Sequence, residues 1–195
     1  MPRPRTLSEP EVLERALEVF WVHGFDRTSV GDLSKAVGLG PSSIYNAFGS
    51  KLELFRRAIE HYMGSHAGFA AALLSNPSEH DASSLVRALL RAAVDLYTSE
   101  DNPKGCAMFE GGGTGSPVDS DACAATLEHK AKLESLLLSC LKARAKAGDS
   151  LAASPAVLAK SVVATMRGLS QLARDGATRR DLNAVADHAA ASCLR

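Results

Sequence analysis

Apolar positions along this chain recur at three- and four-residue steps, the spacing of helix faces rather than of strands. In residues 8–23, Val12, Leu13, Ala16, Leu17, Val19 and Phe20 form one such face. Ser8 and Glu11 stand at capping-box spacing before it, Pro10 is tolerated in the first turn, and Gly24 is placed to stop the helix. Two shorter pieces follow. Residues 29–37 put Val30, Leu33 and Val37 on one side, with Thr28 or Ser29 as the cap and Gly38 as the end. Residues 41–47 begin at Pro41, a first-turn position; Ile44 and Phe48 lie four apart, and Gly49 breaks the piece. Ser50 and Glu53 then form a second capping box, which predicts a long helix through about residue 75.

The pattern continues beyond Asn76 and Pro77. Residues 83–98 place Leu85, Val86, Leu89, Leu90, Ala93, Val94 and Tyr97 on one face. A short apolar piece around Met108 and Phe109 runs into a glycine-rich break at 111–115. Residues 121–147 carry Leu127, Leu133, Leu136, Leu137, Cys140 and Leu141, and Gly148 ends them. Ser154 and Pro155 open another helix that ends near Gly176, and a last one spans about Asp181 to Ser192. No period-two alternation stands out. The expected fold is all-α: an N-terminal helical domain over residues 1–50, a linking helix over about 50–75, and a second helical domain over 51–195.

Composition narrows this little but usefully. Lys and Arg number 22 and so do Asp and Glu, which excludes a strongly basic coat while leaving room for a local basic patch. Residues 1–60 are balanced as well, so any grip on nucleic acid must come from placement: Arg5, Arg27, Lys35 and Lys51 near the groove and the acids away from it. The four cysteines, Cys106, Cys123, Cys140 and Cys193, form no CxxC pair. No apolar run approaches the roughly 20 residues that span a bilayer, and the start of the chain has no secretory pattern. A cytoplasmic protein with reduced thiols, without metal or cofactor, is expected. There is no HExxH, GxSxG or P-loop, so an enzyme is not indicated. A helical adaptor that binds protein rather than DNA is the alternative.

Two short helices around a Gly-Leu-Gly turn at 38–40 describe a helix-turn-helix. Its second helix needs a small polar face to enter a major groove about 12 Å wide. Ser42, Ser43, Tyr45 and Asn46 supply one. Asn46 suits a base edge, and the other three suit phosphates. Each also has a plainer use: the serines can stabilise a first turn, and Tyr45 can be a half-buried packing residue. Lys51 lies in a first turn, where the dipole disfavours a cation, which argues for a phosphate partner. Arg5 is either a minor-groove arm or part of a solvated tail, like Arg3.

Over residues 8–58 the chain resembles the N-terminal domain of TetR-family transcriptional regulators. Gly24-Phe25, Thr28-Ser29, Ala36 to Gly38, Tyr45 to Phe48 and Lys51 carry the resemblance. It implies DNA contacts from Arg5, Thr28, Ser42, Ser43, Tyr45, Asn46 and Lys51, and a homodimer on a palindromic operator. Many members carry His where this chain has Ala47, so Tyr45 and Lys51 are expected to take more of the backbone grip. The resemblance also implies a small-molecule effector in the second domain, and dimer contacts through the helices at about 121–147 and 155–175. Phe69, Leu73, Leu89, Val94, Tyr97, Cys106, Met108, Phe109, His129 and Met166 are candidates to line the pocket, with core packing as the plainer role of each.

Cys106 follows Asn-Pro-Lys-Gly and stands at an expected helix start beside Lys104. Both features would lower a thiol pKa. The segment resembles a subgroup of these regulators with Gly-Cys at this point, some of which sense electrophiles or oxidants. The plainer reading is an inert packed cysteine.

Overall fold

In the computed structural model, residues 7–75, 80–112 and 121–194 are described. Among them ten helices account for the regular structure: α1 (Glu9–His23), α2 (Val30–Val37), α3 (Pro41–Phe48), α4 (Lys51–Ser65), α5 (Phe69–Ser75), α6 (Ala82–Tyr97), α7 (Ala107–Glu110), α8 (Asp121–Lys146), α9 (Pro155–Arg174) and α10 (Arg179–Ala191). The one β feature there is an isolated antiparallel bridge between Leu151 and Leu194.

Local chemistry accounts for most boundaries. Ser8 and Glu11 close a capping box on α1, and Ser29 and Asp32 close one on α2. Ser50, Asp81, Ser154 and Thr178 each accept a backbone N–H at the starts of α4, α6, α9 and α10. Each such cap stabilises its helix by about 1 kcal/mol. Gly38 adopts the left-handed conformation that ends α2, with φ 68°.

The helix expected to run unbroken to residue 75 does not. It stops at Ser65, and α5 restarts at Phe69. The Tyr62 carbonyl accepts both the His66 and the Ala67 N–H, a helix-ending arrangement. Gly64 and Gly68 flank the break, and two glycines within five residues weaken any helix. Indole and imidazole contacts settle the local geometry: Trp21 lies edge-on to Tyr62 at 5.1 Å, and His66 stacks on Tyr62 at 5.7 Å.

One continuous apolar cluster runs from Val12 to Cys193. In it α1 packs on α2, α4 and α7; α6 lies against α5, α9 and α10; and α8 crosses α4 and α9. The N-terminal helices therefore share a core with the rest of the molecule. At the far end, Asp149 joins two of these layers. Its carboxylate accepts the Ala82 N–H at the start of α6 (2.8 Å) and two bonds from Arg144 in α8 (3.0 and 2.8 Å).

The bonds from Arg144 hold the Asp149 carboxyl below the usual carboxylate range. The stability it contributes is present above its unfolded pKa of about 3.9 and is lost as pH falls through the lower folded value. Asp149→Asn should lower the melting temperature at pH 7. The deficit should shrink as pH falls below about 4. Thermal unfolding of both proteins across pH 3–7 checks this.

Candidate nucleic-acid interface

The helix-turn-helix is built on four apolar anchors. Leu33, Val37, Ile44 and Phe48 are buried, and each puts the opposite face of its helix outward. Between the helices, Ser34 Oγ donates to the Leu39 carbonyl at 2.5 Å, and the Ser43 and Ile44 N–H groups both donate to Gly40. Ser42, Ser43, Tyr45 and Asn46 form one exposed strip along α3, with Tyr45 47% accessible. None of the four side chains has a hydrogen-bond partner among the described residues. A short helix thus presents polar groups that no described residue satisfies.

Two other expected DNA contacts are placed differently. Thr28 is buried, and its hydroxyl donates to the Gly24 carbonyl at 2.7 Å. It closes the α1–α2 turn from inside, and Ser29 is the cap of α2. Lys51 is half-buried. Its ammonium donates to the Phe25 and Thr28 carbonyls, each at 2.9 Å, and sits 4.0 Å over the Phe25 ring. Burial pushes its pKa down, and Asp26 partly offsets this. What meets the cation at this helix start is therefore first of all a pair of backbone carbonyl oxygens. The third N–H is what remains for a phosphate. Arg5 lies outside the described residues.

The acids of the N-terminal region are largely engaged elsewhere. Glu9 pairs with Arg57, Asp32 caps α2, and Glu53 stands 3.8 Å from Arg56. Glu14 binds His61 and His66 through separate oxygens at 2.8 and 2.9 Å, joining α1 to the end of α4. Sequence spacing gave no sign of that clasp, because its members are 47 and 52 residues apart.

Beneath α4 lies a small apolar cavity of about 20 Å³, room for roughly one water. Of the expected pocket residues, Phe69, Tyr97, Cys106, Met108 and Met166 line it. His129 lines an adjoining cleft of about 240 Å³ that shares Met63, Ala67, Ala70 and Leu133 with the cavity. Leu73, Leu89, Val94 and Phe109 line neither space and pack in the core. Tyr62 and Leu96 are wall residues the sequence did not mark, since each reads as one more apolar helix position.

The fold does not supply the features that would lower the Cys106 pKa, and it favours the packed cysteine. Cys106 does cap α7, but that helix has only four residues and so little dipole. Lys104 turns away, donating to the Thr98 and Ser99 carbonyls. Cys106 is 3% accessible, and burial pushes its thiol pKa up although Tyr62 donates a hydrogen bond to Sγ at 3.2 Å. Cys140 and Cys193 are buried and raised for the same reason, whereas Cys123 is partly exposed. A limiting maleimide at pH 7 should therefore label Cys123 ahead of the other three, read by peptide mass spectrometry. Cys106 reacting first would mean that the cavity opens readily to solvent.

Comparison with known proteins agrees with this geometry. Residues 12–58 match the profile of bacterial regulatory proteins of the tetR family. The HTH-type transcriptional repressor ComR of Escherichia coli (strain K12) is 30% identical over 186 residues, spanning 94% of this chain and 88% of ComR. The repressor BdcR of the same organism is 31% identical over 109 residues, 56% of this chain and 54% of BdcR. Among solved structures, a cysteine mutant of the TetR-family regulator CifR, complexed with 26-base-pair double-strand operator DNA, is 31% identical. It superposes with a TM-score of 0.87 over 97% of this chain and 99% of that one. The match thus runs through the divergent second domain as well as the DNA-binding helices, and the chain belongs to the tetR family of transcriptional regulators.

Proposed function

We propose that this protein is a homodimeric repressor that reads a palindromic operator through α3 and lets go when a small molecule enters the space beneath α4. The observation that carries the reading is the exposed strip of Ser42, Ser43, Tyr45 and Asn46, held on a buried apolar frame and without partners among the described residues. ComR and BdcR are repressors, and CifR binds operator DNA. The DNA-binding unit is residues 1–50, and 51–195 form the effector and dimer unit. Bacterial DNA as the partner puts its work in the cytoplasm.

Dimerisation follows from what one α3 can do: a single unit neutralises few phosphates, and a pair meets half-sites about 34–36 Å apart. Leu127 on α8 and Val157 and Leu172 on α9 are exposed apolar side chains suited to a second copy. Ala156, Ala164 and Gly168 beside them on α9 are also exposed and allow close approach. Ala159, Leu133 and Cys140, on the same helices, are buried within one chain.

The ligand signal has a short route. Cys106 and Met108 form cavity wall at the start of α7, while at its end the Gly111 carbonyl accepts the Phe25 N–H at 3.0 Å. Phe25 belongs to the turn that Lys51 holds. Gly111 has no room for a side chain, since a Cβ would come 2.6 Å from the Ala107 carbonyl. A ligand that moves α7 therefore moves the α1–α2 turn, and a coupling of about 1–3 kcal/mol makes a useful switch.

Selection of bound sequences from random duplex DNA tests the reading; an enriched palindrome supports it, and no enrichment refutes it. On the selected site, Asn46→Ala should cost about 1–3 kcal/mol and relax preference at one base position, with the melting temperature unchanged. Lys51→Gln should behave differently. It should lower the melting temperature and weaken binding to all sequences alike, because it frees two turn carbonyls as well as removing a cation. Titration by fluorescence anisotropy beside thermal unfolding separates the two.

A further inference from the structure

We propose that the cleft at the junction of α6, α9 and α10 binds a small multivalent oxyanion, one carrying phosphate groups or clustered carboxylates. The cleft measures about 560 Å³, far larger than the apolar cavity, from which it is separate. Lys104, Arg174 and Arg179 line it, with Glu100 the one carboxylate on its wall among the described residues. Asp95 stands behind Arg179 at 3.4 Å. Three cations thus face two acids in a chain whose charges otherwise balance.

Lys104 and Arg174 are held but not neutralised. Lys104 donates to the Thr98 and Ser99 carbonyls at 3.0 and 2.9 Å, and Arg174 Nη1 donates to the Trp21 carbonyl at 3.1 Å. Neither meets a carboxylate among the described residues. Arg179 Nε donates to Thr98 Oγ1 at 2.9 Å. Backbone carbonyls orient these heads without cancelling their charge, and a guanidinium with five N–H groups keeps donors for a ligand. Positions fixed in advance reduce the entropy lost on binding.

Two further features belong to this junction. The 13-residue α10 starts on the cleft wall with Thr178 as its cap, and the partial positive charge of its N-terminus is shared with the Asp181 carboxylate, which accepts from Thr178 Oγ1 at 2.7 Å. Gly105, at φ 87°, lies so close to α9 that a Cβ would sit 3.0 Å from Arg174 Cγ. The same Cβ would meet Ser170 Oγ at 3.0 Å, so the Gly105 backbone packs directly on this stretch of α9. Arg174 also holds the carbonyl end of α1, so the bound anion would sit one side chain away from the DNA-binding helices.

Calorimetric titration of the full chain with inorganic pyrophosphate, and separately with citrate, in low-salt buffer tests the proposal. One saturable site per chain is expected for at least one of them. Tighter pyrophosphate assigns phosphate chemistry, and tighter citrate assigns carboxylates. Arg174→Gln and Lys104→Gln should each weaken binding about tenfold or more, as loss of a charged hydrogen bond does. Glu100→Gln should tighten it, and Lys160→Gln, which alters an exposed pair with Glu134, should change nothing. Lys104→Gln serves if Arg174→Gln fails to fold. No saturable binding of either anion, or binding that survives both substitutions unchanged, overturns the proposal.

Discussion

The Lys51 ammonium, seated on the Phe25 and Thr28 carbonyls and over the Phe25 ring, is the contact on which the DNA-binding half depends. The turn between α1 and α2 exposes carbonyls that no helix satisfies, and a buried unsatisfied carbonyl costs about 1–3 kcal/mol. Lys51 meets two of them from the first residue of α4, with Thr28 closing the same turn from inside. The position of α2, and through it of α3, is thereby set by α4. The Phe25 N–H, bonded to Gly111, ties the same turn to α7. One small polar joint thus links the reading helix, the connecting helix and the cavity wall.

The cavity wall illustrates how burial overrides local chemistry. Cys106 has a lysine two residues away and a helix start at its own position, both of which favour a thiolate in water. In the fold, the lysine is on other carbonyls and the thiol sits among Tyr62, Tyr97 and Met108. Desolvation of the charged form is then the largest effect, and the thiol stays protonated at neutral pH.

Zero net charge does not stand against DNA binding, because the acids near α1 and α4 are engaged in caps and pairs. Glu9, Glu14, Asp32 and Glu53 all have partners. The exposed α3 strip itself is made of uncharged groups.

Helix existence, most boundaries and the polar strip on α3 were legible in the sequence, because they depend on neighbours three or four residues apart. Ser29-to-Asp32 capping, the glycine stop at 38 and the inward pair Ile44 and Phe48 are all of that kind. The break between α4 and α5 was half legible: Gly64 and Gly68 weaken the helix, but Trp21 packing on Tyr62 and His66 comes from another element. Tertiary structure alone decided the rest. It buried Thr28, turned Lys51 onto carbonyls, left Cys106 without its lysine and sorted Leu73, Leu89, Val94 and Phe109 into the core. It also brought Glu14 to two histidines about fifty residues on. The physical reason is common to all of these. A side chain's charge state and free donors depend on which distant groups surround it, and periodicity records only that a position faces inward, not what it meets there.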